Sequence, residues 1–166
     1  MISLVFTRSR RFSIFSWMVR YLTDSDISHV GISTQVLGID IIVHSTIGGV
    51  QVETRRNFEQ NNIVVFEKEL RIPDGEDALK FTLNKHLGNP YDYLALPGLA
   101  FLLLLKKWFK ILVKNPYMAP NALICSEFVL SLRGESRIPE WKILAEENTT
   151  PQDPLIHCGD SFITIL

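Results

Sequence analysis

A chain of 166 residues, 46% hydrophobic and 21% charged, is long enough for one domain that buries roughly two-thirds of its unfolded surface without metals or staples. Its formal net charge of −1 argues against a nucleic-acid partner, which would show as a basic surplus or stripe. Two cysteines, Cys125 and Cys158, are too few for a disulfide framework and suit a reducing compartment, so a cytoplasmic location is expected.

The chain opens with Ile2-Ser3-Leu4-Val5-Phe6, a short β-prone run that reads as a strand. Arg8, Arg10 and Arg11 then precede an apolar run, Phe12 to Val19, that imitates a secretion signal. Arg20 cuts the run short and no small-residue cleavage pattern follows, so the segment is taken as folded. Ile14, Met18 and Tyr21 or Leu22 recur at helical spacing, which predicts a short amphipathic helix over Ser13 to Leu22. After the polar break at Thr23 to Asp26, Ser28 to Val36 alternates as a strand. Val30, Ile32 and Thr34 lie on one face, and His29, Gly31, Ser33 and Gln35 on the other. Leu37-Gly38 turns into a returning strand, Asp40 to Ser45, and Gly48-Gly49 turns again into Val50 to Glu53. Beyond a polar stretch, Ile63 to Glu67 makes a further strand, and an antiparallel meander is the simplest assembly.

The second half is helical by pattern. Pro73 to Asp77 opens a helix with acidic residues at its positive end, and Gly88 stops it after Leu87. Asn89-Pro90-Tyr91-Asp92 is a turn. Leu94 to Val113 is the most hydrophobic part, with Pro97 and Gly98 early and Lys106, Lys107 and Lys110 late. Asn121 to Leu132 reads as a helix with Asn121 as N-cap and Gly134 as its C-terminal cap. A short helical piece runs from Pro139 through Leu144, and Ser161 to Leu166 is a last strand. Strands first, helices second and one strand last define an α+β domain. With no repeat, low-complexity tract or linker, residues 1–166 form a single expected domain.

Cys125 lies near the start of its helix, where a thiol's pKa is lowered and its nucleophilicity becomes useful. The competing reading is core packing, because Cys125, Phe128, Val129 and Leu132 follow the i, i+3, i+4, i+7 pattern. From this helix alone, core packing is the better reading. His29 tips the balance, since it stands on the polar face of its strand. With a two-residue loop at Leu37-Gly38, Val36 faces Ile39, and His29 and His44 become diagonal neighbours on one sheet face, roughly 7–8 Å apart. A three-residue loop without a bulge would separate them, and Leu37 suits a positive φ poorly. A base needs a polar partner to fix its tautomer, which makes His44 the candidate orienting group.

Other assignments are weaker. A zinc site from His29, His44, Cys125 and His157 or Cys158 lacks compact ligand spacing, so no metal or other cofactor is expected. His157 and Cys158 point opposite ways in an extended segment and receive no role, while His86 complements a helix dipole. Between Pro97 and Lys106 the apolar stretch is too short to cross a bilayer, which takes about 20 residues. Leu99–Lys110 either contacts lipid head groups from one side or forms a core helix with a basic, solvated end.

Four segments come in one order: Ser28-His29-Val30-Gly31-Ile32, Pro90-Tyr91-Asp92-Tyr93, Cys125-Ser126-Glu127-Phe128-Val129 and Thr150-Pro151-Gln152-Asp153. In this the chain resembles, over nearly its whole length, the permuted papain-like cysteine hydrolases of the NlpC-type superfamily, the YiiX/YaeF-like group. The resemblance implies a circularly permuted papain-like fold in which the histidine strand precedes the cysteine helix. It implies thiol attack on an amide or ester carbonyl, with Cys125 as nucleophile, His29 as general base and His44 as orienting group. A glutamate is often found at the third position in relatives, so His44 is a departure. Backbone N–H groups at the helix start would hold the oxyanion, and Tyr91, Tyr93 and Ser126 are candidate substrate or oxyanion contacts. The expected activity is that of an amidase or peptidase acting through an acyl-thioester on a small peptide, amino-acid amide or acyl substrate. Lipid acyltransferase or thioesterase chemistry at a membrane surface, and a non-catalytic binding module on the same fold, are the alternatives.

Overall fold

The alternating segments of the N-terminal half form one antiparallel sheet in the computed structural model, which describes residues 2–70, 75–90, 101, 104–105, 108, 125–136, 150–151, 154 and 162–164. Its strands are β1 (Ile2–Ser9), β2 (His29–Val36), β3 (Ile39–Thr46), β4 (Gly49–Thr54), β5 (Asn62–Leu70) and β6 (Phe162–Thr164). Their spatial order is β4-β3-β2-β1-β5-β6, with every neighbouring pair antiparallel. The meander from β1 to β4 is as the alternation predicts. The chain then crosses back to lay β5 on the far edge of β1, and β6 follows outside it.

Among the described residues the helices with described bounds are α1 (Ile14–Thr23), α2 (Arg55–Asn61), α3 (Gly75–His86) and α4 (Cys125–Ser136). Ser13 caps α1 by accepting a hydrogen bond from the Ser16 N–H. Thr54 caps α2 in the same way, accepting from the Asn57 N–H. This second helix falls in the polar stretch that carries no apolar periodicity, since Phe58 is its one buried residue. α3 keeps the predicted charge order, with Glu76 and Asp77 in its first turn and Lys85 and His86 in its last. Its end is tied to β4: the Val50 N–H donates to the Asn89 carbonyl and the Gly88 N–H to the Val50 carbonyl, both at 3.0 Å. Gly49 adopts φ +95 there, and any side chain would collide with the Asn89 carbonyl. Only glycine fits that crossing.

The sheet divides the core in two. On one face Leu4, Phe6, Val30, Ile32 and Val43 pack with Ala78 and Leu79 of α3 and with Cys125, Phe128, Val129 and Leu132 of α4. Each fully buried large side chain in this cluster contributes roughly 1.5–3 kcal/mol. On the other face a smaller cluster joins Val5 and Ile42 to Phe58 of α2.

One expectation changes. Gly134 does not end its helix, because α4 continues through it to Ser136. Of Leu94 to Val113, Phe101, Leu104, Leu105 and Trp108 are described and helical, with Phe101 and Trp108 exposed. The remainder of that segment and the piece from Pro139 lie outside the described residues. Among the described residues no helix is long and apolar enough to cross a membrane.

Candidate active site

The β2–β3 turn determines which side chains can meet. Leu37 and Gly38 both take left-handed backbone, φ 51 and φ 79, and Val36 faces Ile39. These are the dihedrals of a two-residue hairpin turn whose twist matches the flanking strands. Leu37 adopts them despite its side chain, which points into solvent at 97% exposure. The register sends Val30, Ile32 and Val43 to the α4 face, and His29 and His44 to the other.

The two imidazoles close the diagonal between them. His29 Nε2 lies 2.9 Å from His44 Nδ1, and the ring planes meet at 72°. His44 pairs with Gln51 across β3 and β4, so Glu53 is its diagonal neighbour on the same face. Glu53 Oε1 stands 2.8 Å from His44 Nε2 but off the direction of the ring N–H, a contact of charge more than an aligned hydrogen bond. Phe58 walls the pair from α2, its ring centroid 5.0 Å from that of His44 and 6.1 Å from that of His29.

This order of atoms selects the tautomers. A carboxylate beside His44 Nε2 favours the proton on that nitrogen, which leaves Nδ1 as an acceptor. His29 must then donate from Nε2, and its Nδ1 lone pair is left free to take a proton. Burial pushes His29 down to about 3, with the neighbouring His44 adding to the shift. Burial also lowers His44, to about 4. Burial raises the Glu53 carboxyl above its ordinary value. Both rings are therefore neutral at pH 7, the state a general base requires.

His29 and His44 line a cavity of about 270 Å³ with Ser16 and Ser28, whose hydroxyls are 2.7 Å apart, and with Phe15 and Ile47. Cys125 is placed differently. It is the first described residue of α4, is 5% exposed, and packs in the cluster with Val30, Ile32 and Val43. α4 lies on β2 and β3, the strands that carry the histidines, yet its thiol and the imidazoles occupy opposite faces of those strands. Ser126 is fully buried beside it. Tyr91 and Tyr93 lie outside the described residues. Sequence reasoning missed Glu53 and Phe58. The turn into β4, which falls on Ile47-Gly48 one residue before the expected Gly48-Gly49, held the information for Glu53, since its register puts residue 53 on the face of His44. Nothing in the polar stretch around Phe58 marked it.

No family model matches the chain, and no curated protein does. Among solved structures it is similar to the metalloprotein YiiX from Escherichia coli O157:H7, with a TM-score of 0.55 and 15% identity, over 99% of this chain and 94% of that one. That protein is of the group the ordered motifs resemble. At this identity the likeness is one of fold: an α+β domain, built on an antiparallel sheet, that fits the papain-like architecture.

Proposed function

We propose that the chain is a cysteine-dependent hydrolase, an amidase or peptidase working through an acyl-thioester, with Cys125 as nucleophile, His29 as general base and His44 as orienting group. The observation that carries this reading is the ordered series His29–His44–Glu53 beside a cavity, which supports His29 Nδ1 as the nitrogen that takes a proton. In the reaction, His29 Nδ1 takes the Cys125 proton and the thiolate attacks the carbonyl carbon. The tetrahedral intermediate collapses with release of the amine or alcohol, which receives that proton from His29. Water, deprotonated by His29, then cleaves the thioester and frees the acid and the thiol. The positive charge that His29 carries between steps is stabilised by the hydrogen bond to His44 and, beyond it, by the field of the Glu53 carboxylate. Backbone N–H groups at the start of α4, that of Ser126 included, are the oxyanion donors of this scheme, with Tyr91 or Tyr93 as a further donor.

The reading makes a demand on the chain. Cys125 must leave its packed position and reach the cavity end of β2 for the first step. The β2–β3 register ends at Ile32↔Val43, short of His29 and His44, which are held instead opposite Thr7 of β1 and Gln51 of β4. Transfer to a lipid acceptor with Leu99–Lys110 at a membrane would use the same first half-reaction. A second reading, a binding module that uses the cavity without covalent chemistry, is favoured by the 5% exposure of Cys125. A panel of amino-acid amide, small-peptide and acyl-ester substrates separates them. Turnover by the wild type and its loss in both Cys125→Ala and His29→Ala are expected; equal turnover by all three proteins would sink the hydrolase reading.

A further inference from the structure

α1 carries its apolar stripe on the outside. Ile14, Trp17 and Tyr21 recur at i, i+3 and i+7, yet they are 68%, 51% and 49% exposed. Trp17 and Tyr21 stack on one another, ring centroids 5.5 Å apart. The opposite side holds the helix to the domain through buried Leu22 and the Ser16–Ser28 hydroxyl contact. Phe12, 84% exposed in the turn entering α1, and Phe15 extend the apolar surface to the mouth of the cavity. A helix built for water places these residues inward.

Guanidinium groups rim this surface. Arg10 donates to the Glu59 carbonyl oxygen, which leaves its charge unneutralised, and the Glu59 carboxylate is held by Arg55 at 2.7 Å. Arg11 is exposed beside Phe12, with no ion-pair partner among the described residues. Arg8 and Arg20 share Asp26, at 3.1 and 3.8 Å. Against these four cations stand Asp24 and Asp26, so the patch is positive in a chain of net charge −1.

We propose that α1 and the arginine turn before it dock the protein on an anionic lipid bilayer. Phe12, Ile14, Trp17 and Tyr21 enter the boundary between head groups and acyl chains, and Arg10 and Arg11 meet lipid phosphates. Tryptophan and tyrosine suit that boundary because each has an apolar body and a polar tip. Arginine supplies the fork of donors that matches a phosphate. Basic residues beside exposed aromatics on an amphipathic helix are the composition of an interfacial helix. A second copy is the poorer occupant, because a two-fold contact would set the same arginines against each other. This surface is separate from Leu99–Lys110, and the proposal does not rest on the thiol chemistry.

Co-sedimentation of the intact protein with phosphatidylcholine vesicles, with and without phosphatidylglycerol, tests it. The protein is expected to sediment with the anionic vesicles and to be released by high salt. Partition should fall by at least about tenfold in the double variant Phe12→Ser, Trp17→Ser. Arg10→Ser with Arg11→Ser should lower binding to anionic vesicles while leaving weak binding to neutral ones unchanged. Circular dichroism checks that each variant is folded, and the arginine pair stands in if the aromatic pair is not. The proposal is overturned if the wild type ignores anionic vesicles or if folded variants bind as it does. It is equally overturned if the aromatic variant instead abolishes a dimer seen by sedimentation equilibrium.

Discussion

Gly31 lies against His44 so closely that a methyl group added to it would come within 3.2 Å of His44 Cβ and 3.1 Å of Ile42 Cγ2. The absence of a side chain at residue 31 is what lets the His44 ring swing under His29. Gly31→Ala is therefore expected to push His44 aside, at about 1–3 kcal/mol of stability. Its effect on turnover should be larger, on the order of tenfold or more, because misplacing a catalytic group is costly. Denaturant midpoints and initial rates on the same preparations check both.

Glu53→Gln keeps the volume beside His44 but offers an amide that can donate as well as accept. The proton on His44 Nε2 then loses its electrostatic anchor, and the tautomer chain that frees His29 Nδ1 is no longer enforced. Turnover should fall by about tenfold, against roughly a hundredfold for His44→Ala. Stability should change by less than about 1 kcal/mol, since the Glu53 side chain is 27% exposed. Unchanged kinetics in Glu53→Gln would remove Glu53 from the account.

The buried histidines also set an acid limit. His29 and His44 fall from 6.5 in the unfolded chain to about 3 and about 4 in the folded one. Between those values the unfolded chain binds more protons, so stability is fully present above pH 6.5 and is lost on acidification toward the folded values. Each histidine contributes a slope of up to about 1.4 kcal/mol per pH unit. Urea unfolding at pH 7 and pH 5 should show the loss, and a double replacement by glutamine should flatten it.

Phe58 is fully buried and supports both imidazoles from α2. Phe58→Ala should cost about 3–5 kcal/mol. Phe58→Leu should recover most of that stability while leaving turnover depressed, because leucine fills the space without the flat wall. Thermal unfolding and rates on the two variants distinguish support of the fold from support of the rings.

Much of this was legible in the chain. The alternation in Ser28 to Val36 gave the strand and the face of His29, and the two-residue turn gave His44 as its neighbour. The ring-to-ring contact at 2.9 Å is closer than backbone geometry alone implies, because both side chains lean along the diagonal. α2 was hidden because a helix held by one buried phenylalanine has no periodicity to read. Cys125 shows the limit most plainly. Its i, i+3, i+4, i+7 pattern with Phe128, Val129 and Leu132 is realised as core packing, and chemistry must be argued against that burial.

The central claim is that Cys125 and His29 act together. Iodoacetamide labelling of Cys125 against pH, read by mass spectrometry in the wild type and in His29→Ala, tests it most directly. Wild-type Cys125 is expected to label in the folded protein, and its labelling at pH 7 to slow by about tenfold in His29→Ala. Identical profiles in the two proteins, or a Cys125 that reacts only on unfolding, would contradict it.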